Sequence, residues 1–304
     1  YEAAECKDRF GRTLAFVSPA SQLASLYLLD LTSLSAEIVP TQAVWLQGLG
    51  WTGDGRFAYL QPIGPSDQYP PTAQLIVYDP QARRQQVLEN LILSALFWDS
   101  NTSWSPDHNQ LGVTVARREN GRDWMSPALV TFAPQLTLTY LADSGYSPNL
   151  SPDGSHAAYV RATFGSKLPP QETAIEWTDL NTDETRPLTS LLAGPDFVGG
   201  FALMEWSPDG SQLAYMTYGT PGKRVYLLNM NEPGAQPRLL KDHSNVYSLR
   251  FSPDSRYLLT QAYTASNFAE DTSILFDLQS GTEIALIAHA AALAPDGRQI
   301  ALAG

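Results

Sequence analysis

Cysteine is almost missing from this 304-residue chain: Cys6 is the only one. No disulfide can form within the chain, and a zinc site built from several thiolates is excluded. Positive charge is scarce too. Lys and Arg number 19 against 31 Asp and Glu, a net charge of −12. Such a surface repels a phosphate backbone, whose binding rests on clustered Lys and Arg, so nucleic acid is excluded as the main partner. Charged residues together reach only 16%, below the usual quarter, which leaves the polar surface largely to Ser, Thr, Asn and Gln. No apolar run approaches the roughly 18 residues that a membrane-spanning helix needs, so no transmembrane segment is expected.

Signatures of catalysis are missing as well. There is no Gly-x-Ser-x-Gly, His-Glu-x-x-His, P-loop or Gly-x-Gly-x-x-Gly stretch, and no catalytic residue is assigned. His108, His156, His243 and His289 are scattered near repeat turns without ligand spacing, and scattered histidines read as structural or solvated. No cofactor and no metal is expected.

What is there is a repeat. Trp104-Ser-Pro-Asp107, Leu150-Ser-Pro-Asp-Gly154, Trp206-Ser-Pro-Asp-Gly210, Phe251-Ser-Pro-Asp254 and Leu293-Ala-Pro-Asp-Gly297 share one pattern, and Trp51-Thr-Gly-Asp-Gly55 and Phe10-Gly11-Arg12 are weaker copies. Successive copies are 42 to 56 residues apart, the period of a four-stranded propeller blade with variable loops. Pro pre-sets φ for the second turn position, Asp tolerates the third and Gly supplies the positive φ before the next strand, so the motif is a hairpin turn. On this reading Asp107, Asp153, Asp209, Asp254 and Asp296 are turn formers, and Trp51, Trp104 and Trp206 pack between blades.

A short apolar strand follows each turn, as in Phe57-Ala-Tyr-Leu60, Ala157-Ala-Tyr-Val160 and Leu213-Ala-Tyr-Met216; continuous apolar runs of this length suit strands covered on both faces. A third strand then closes on Asp or Asn: Leu26-Tyr-Leu-Leu-Asp30, Leu75-Ile-Val-Tyr-Asp79, Ala174 to Asp179, Val225 to Asn229 and Ile274 to Asp277. Those side chains can bond the backbone two residues on and start the turn into a fourth strand. Each repeat is therefore a four-stranded antiparallel meander, and the predicted fold is an all-β propeller forming a single domain over residues 1–304.

The aromatic-Ser-Pro-Asp-Gly turn, the apolar strand after it and the strand ending in Asp resemble the TolB-type WD-like repeat over almost the whole chain. A similar repeat is expected in the propeller domains of prolyl-oligopeptidase-type proteins, so the resemblance implies a fold more than an activity. Two blade counts are open. With seven blades, residues 2–6 supply a first inner strand and the last blade lacks its outer pair; with six, residues 290–294 close the first blade. Each second strand needs its own slot, which favours seven.

Alternating strands put the Ser-Pro-Asp-Gly turns on one face and the longer connections on the other: 62–72, 117–127, 162–173, 190–202 and 264–272. Binding residues concentrate in such loops. These loops and their margins carry Tyr69, Arg117, Arg118, Trp124, Phe164, Phe197, Tyr218 and Phe268, of the types enriched at interface hot spots; taken singly, each aromatic equally suits packing over a blade top. The expected function is a non-catalytic module that binds another protein or takes a place in a larger assembly. A propeller hydrolase or lyase, or the gating domain of a larger peptidase, is the alternative. Tyr1 is not an initiator methionine, so the natural start, with a signal peptide, is expected upstream, and the location to be periplasmic, cell-surface or secreted.

Overall fold

The computed structural model describes residues 6–7, 13–18, 25–39, 41, 45–63, 72–93, 103–119, 122–163, 172–189, 192–193, 201–217, 223–232, 234–243, 246–263, 271–287, 290–294 and 299–303. Every regular element among them is a β-strand. The chain divides into two compact units, Tyr1–Pro148 and Asn149–Gly304.

In the first unit, β1 (Cys6–Lys7), β2 (Thr13–Ser18), β3 (Ser25–Asp30) and β4 (Ser35–Ile38) pair in chain order. An eight-stranded sheet follows. It contains one meander of β5 (Trp45–Trp51), β6 (Phe57–Ile63), β7 (Thr72–Asp79) and β8 (Arg84–Leu93), and another of β9 (Ser103–Trp104), β10 (Gln110–Glu119), β11 (Arg122–Thr131) and β12 (Thr137–Tyr140). Among the described residues, the pairing of Val115 with Ile92 joins the two.

The next strand, β13 (Gly145–Leu150), spans the unit boundary and heads a sheet with β14 (His156–Thr163), β15 (Glu172–Asp179) and β16 (Thr185–Pro187); β17 (Leu192–Ala193) also pairs with β15. The second unit continues with two four-stranded meanders, β18 (Phe201–Trp206) to β21 (Arg238–His243) through β19 (Gln212–Thr217) and β20 (Lys223–Asn229), then β22 (Val246–Phe251), β23 (Tyr257–Tyr263), β24 (Asp271–Asp277) and β25 (Thr282–Ile287). A final pair, β26 (Ala290–Leu293) and β27 (Ile300–Ala303), stands as its own sheet. Among the described residues β2 pairs with β1 and β3, and β26 with β27.

The apolar runs are covered on both faces. On β7, Ala73, Leu75 and Val77 enter one cluster with Leu111, Val113 and Val130. The alternate residues Ile76 and Tyr78 enter another with Trp51, Phe57 and Tyr59. This is the period-two alternation of a strand with a core on each side. In the second unit Leu203, Met216, Leu227, Leu249, Leu258, Ile274 and Phe276 form the corresponding cluster. Packing between the two meanders of the large sheet is close enough to demand a glycine: a Cβ on Gly50 would stand 2.5 Å from the Trp104 ring.

Five of the repeat turns are each held by one hydroxyl. Ser207 Oγ donates to Asp209 Oδ1 (2.6 Å) and accepts from the Gln212 N–H (2.8 Å), while Gly210 N donates to the Ser207 carbonyl (2.8 Å). Ser105 with Asp107, Ser151 with Asp153, Ser252 with Asp254 and Thr52 with Asp54 repeat the same short donation at 2.5–2.6 Å. All five hydroxyl residues are buried. The turns from third to fourth strand follow the expected Asx pattern: Asp30, Asp79, Asp179 and Asp277 each accept on Oδ1 from the N–H groups two and three residues on.

Connection 117–127 departs from its expectation as a loop. Residues 110–119 and 122–131 pair without a break, from Gln110 opposite Thr131 to Glu119 opposite Arg122. The two residues between the last pair are Asn120-Gly121, the dipeptide most favoured in tight hairpins, and this signal outweighs the polar composition. Asn149, in a glycosylation-type Asn-Leu-Ser sequence, is buried on β13 and donates from Nδ2 to the Met204 carbonyl at 3.0 Å.

Two stability outcomes follow from the turns. Ser207→Ala leaves the Gln212 amide and the Asp209 carboxylate each short of a partner and lowers unfolding free energy by about 1–3 kcal/mol in denaturant titration. Leu34 sits at φ 54° and is 75% exposed; Leu34→Gly removes a left-handed strain of about 1–2 kcal/mol at the cost of chain entropy, for a net gain of about 0.5–1 kcal/mol.

Candidate functional site

In the second unit a cavity of about 380 Å³ opens on the Ser-Pro-Asp-Gly side. Its described lining comprises Ser151, Pro152 and Asp153 of one repeat turn, Pro208, Asp209 and Gly210 of the next, His156 and Trp177, Trp206, and Met230 and Asn231 of the turn leaving β20. The turn chemistry places both carboxylates. Asp153 accepts from Ser151 Oγ (2.6 Å), the Ser155 N–H (3.0 Å) and Ser155 Oγ (2.7 Å). The Ser151 hydrogen bond, followed by that of Ser155, pushes its carboxyl down to about 2. At Asp209, burial pulls the carboxyl upward but is outweighed by hydrogen bonds from Ser207 and Ser211, so it too lies below the ordinary value.

His156 is oriented by the same network. Ser155 has one hydroxyl hydrogen, and Asp153 takes it; His156 Nδ1, 2.6 Å from Ser155 Oγ, is then the donor. The other nitrogen, Nε2, lies 3.8 Å from Asp179 Oδ2. Hydrogen bonds from the Asn181 backbone lead in holding the Asp179 carboxyl below its usual value.

Strand register explains the aromatic wall. Trp177 pairs with Ala158 on one side and Arg186 on the other, and His156 lies two residues before Ala158 on the same face. The result is a stack across three strands. The His156 ring lies 4.4 Å from the Trp177 ring at 22°, and the Arg186 guanidinium carbon lies 4.2 Å from the same centroid. Groups so close to one ring must take opposite faces, so Trp177 is sandwiched. Trp206 closes the wall with its Nε1–H bonded to the Asn149 carbonyl at 3.1 Å.

Of the binding residues expected from sequence, Tyr69, Phe164, Phe197, Tyr218 and Phe268 lie outside the described residues. Arg117, Arg118 and Trp124 lie on the β10–β11 ribbon, where Arg117 opposes Trp124 and Arg118 opposes Asp123. Arg117 also sets its guanidinium carbon 4.9 Å from the Tyr140 ring centroid. Of the histidines, His108 takes the turn position that Gly holds elsewhere, at φ 56°, and bonds the Trp51 carbonyl through Nδ1 at 2.9 Å. His156 belongs to the cavity, which sequence reasoning missed; its signal is Ser155-His156 directly after a turn, opposite a strand ending in Trp177-Thr-Asp179. Among the described residues no three His, Cys, Asp or Glu converge as metal ligands.

No family model and no curated protein matches this chain. Solved structures do. An oligogalacturonate lyase in complex with manganese is similar at TM-score 0.61 and 16% identity, over 98% of this chain and 84% of that one. A prolyl endopeptidase gives TM-score 0.60 at 15% identity, over 94% of this chain and 43% of the other. A TolB-type protein from Agrobacterium tumefaciens gives 0.50 at 15%, over 86% and 87%. This chain spans 64% of the length of a TolB from Acinetobacter baumannii. At such identities the likeness bears on fold alone, and with the antiparallel meanders it makes the protein an all-β, multi-bladed β-propeller, TolB-like in fold.

The Asp153 network is acid-sensitive. A carboxyl depressed to about 2 when folded contributes stability that is present above its unfolded value of roughly 3.9 and is lost as pH falls through the folded value. Asp153→Asn is expected to lower the thermal midpoint at pH 6, and the gap from the parent protein to shrink between pH 4 and 2, as followed by circular dichroism.

Proposed function

We propose that residues 1–304 form one seven-bladed propeller domain that acts as a non-catalytic module binding another protein, or a place in a larger assembly, outside the cytoplasm. The observation that carries this reading is the β10–β11 ribbon. It pairs for ten residues on each strand, whereas β12 pairs with it only from Ala128 to Thr131. The part of the ribbon beyond that reach holds Arg117, Arg118, Arg122 and Trp124, with Asp123 opposite Arg118 and Glu119 opposite Arg122, an arginine-rich and aromatic group on a chain of net −12. Arg and Trp are residues on which protein interfaces concentrate their energy. Ribbon backbone is stiffer than an open loop, so these side chains are presented with less ordering cost on binding. The blade count is supported by the pairing of β1 with β2 and β26 with β27. Among the described residues no helix is long and apolar enough to cross a membrane.

The test is affinity capture from the native host extract with parent protein and with Arg118→Ala/Trp124→Ala. Loss of a stoichiometric partner by tenfold or more, with an unchanged melting temperature, is the expected result. Equal capture by both proteins rejects the ribbon as the binding surface, and a parent that captures nothing and turns over a substrate rejects the module reading.

A further inference from the structure

We propose that the cavity between the 151–154 and 207–210 turns binds the guanidinium group of an arginine side chain presented by a partner polypeptide. This rests on the protein-binding reading above but concerns a different surface from the ribbon.

The acceptor set is the first argument. Asp153 and Asp209 stand on two walls, and neither is exhausted by its turn. Asp153 receives three hydrogen bonds, against roughly four lone-pair sites on a carboxylate. Asp209 receives bonds from Ser207 and Ser211 on Oδ1, with the Ser255 hydroxyl a further donor to the carboxylate, and the three Oδ1 bonds leave Oδ2 room for another donor. Among the described lining residues there is no lysine or arginine. Acceptors on separate walls suit a donor whose N–H groups point in several fixed directions, as in guanidinium, better than the clustered hydrogens of an ammonium.

Shape is the second. A volume of about 380 Å³ takes a long side chain with a few waters. Trp206, Pro152, Pro208 and Met230 offer apolar surface to a methylene stem, as long cationic side chains use it. The Arg186–Trp177–His156 stack already places a guanidinium against an indole. Net charge −12 draws a cationic segment toward the surface. A divalent cation fits less well, because no third ligating group converges there among the described residues.

The probe is the blocked tripeptide acetyl-Gly-Arg-Gly-amide, titrated into the whole protein while indole and imidazole NMR signals are recorded. Its counterparts are the same peptide with citrulline or lysine, and free L-arginine. The expected result is saturable shifts of the Trp177, Trp206 and His156 signals by the Arg peptide, at least tenfold weaker binding of the citrulline and lysine peptides, and a tenfold or greater loss in Asp209→Asn. Met230→Arg, which supplies a resident cation from the cavity's own rim, is expected to block binding with the fold intact, a check if Asp209→Asn disturbs its turn. Equal binding of the arginine and citrulline peptides, or full binding by both variants, overturns the proposal. Tighter binding of lysine overturns the guanidinium assignment, and tighter binding of free arginine the partner assignment. Neither result touches the ribbon reading, which Arg118→Ala/Trp124→Ala judges separately.

Discussion

A buried hydroxyl at the head of five of the repeat turns is the interaction on which the architecture depends. Ser105, Ser151, Ser207, Ser252 and, with one more methyl, Thr52 are almost fully removed from water, where an unsatisfied polar group costs about 1–3 kcal/mol. Each meets that demand twice over, donating to the aspartate two residues on and accepting from a backbone N–H as the next strand begins. One atom therefore sets the turn, orients a carboxylate and starts the second strand in register. A slip of one residue would turn every apolar side chain of that strand to the wrong face.

The candidate cavity is a by-product of this device. A carboxylate bonded by hydroxyl and amide donors stays ionised and fixed in place, as the depressed Asp153 carboxyl shows. Where two such turns face a shared hollow in the second unit, their anions become part of a wall rather than isolated surface charges. The aromatic stack then depends on β-sheet register, which puts His156, Trp177 and Arg186 in one row.

Legibility followed the locality of the interactions. Ser-Pro-Asp-Gly and the Asp-closed strands were readable because their bonds reach only two to five residues along the chain, and the turn roles of Asp107, Asp153, Asp209 and Asp254 and the packing roles of Trp51, Trp104 and Trp206 agree with the structure. The 117–127 segment was misjudged as a loop because polar composition was weighed above the Asn120-Gly121 pair. The cavity was not readable in any single repeat. It needs two turns a whole blade apart, and it gives Asp153 and Asp209 a second role that turn chemistry had already seemed to exhaust. Tyr69 and the distal aromatics were legible only as residue types.

The Val115–Ile92 pairing that joins the two meanders of the first unit among the described residues has a meaning beyond topology. The outermost strand of a blade exposes a row of unpaired amides and carbonyls, a template on which a foreign strand can grow. β8 pairs with β7 along one side and is met by β10 on the other, so its edge is occupied at that point by the protein's own chain. A bridge of one residue pair adds little to stability, yet it occupies part of the edge that a foreign strand would otherwise use.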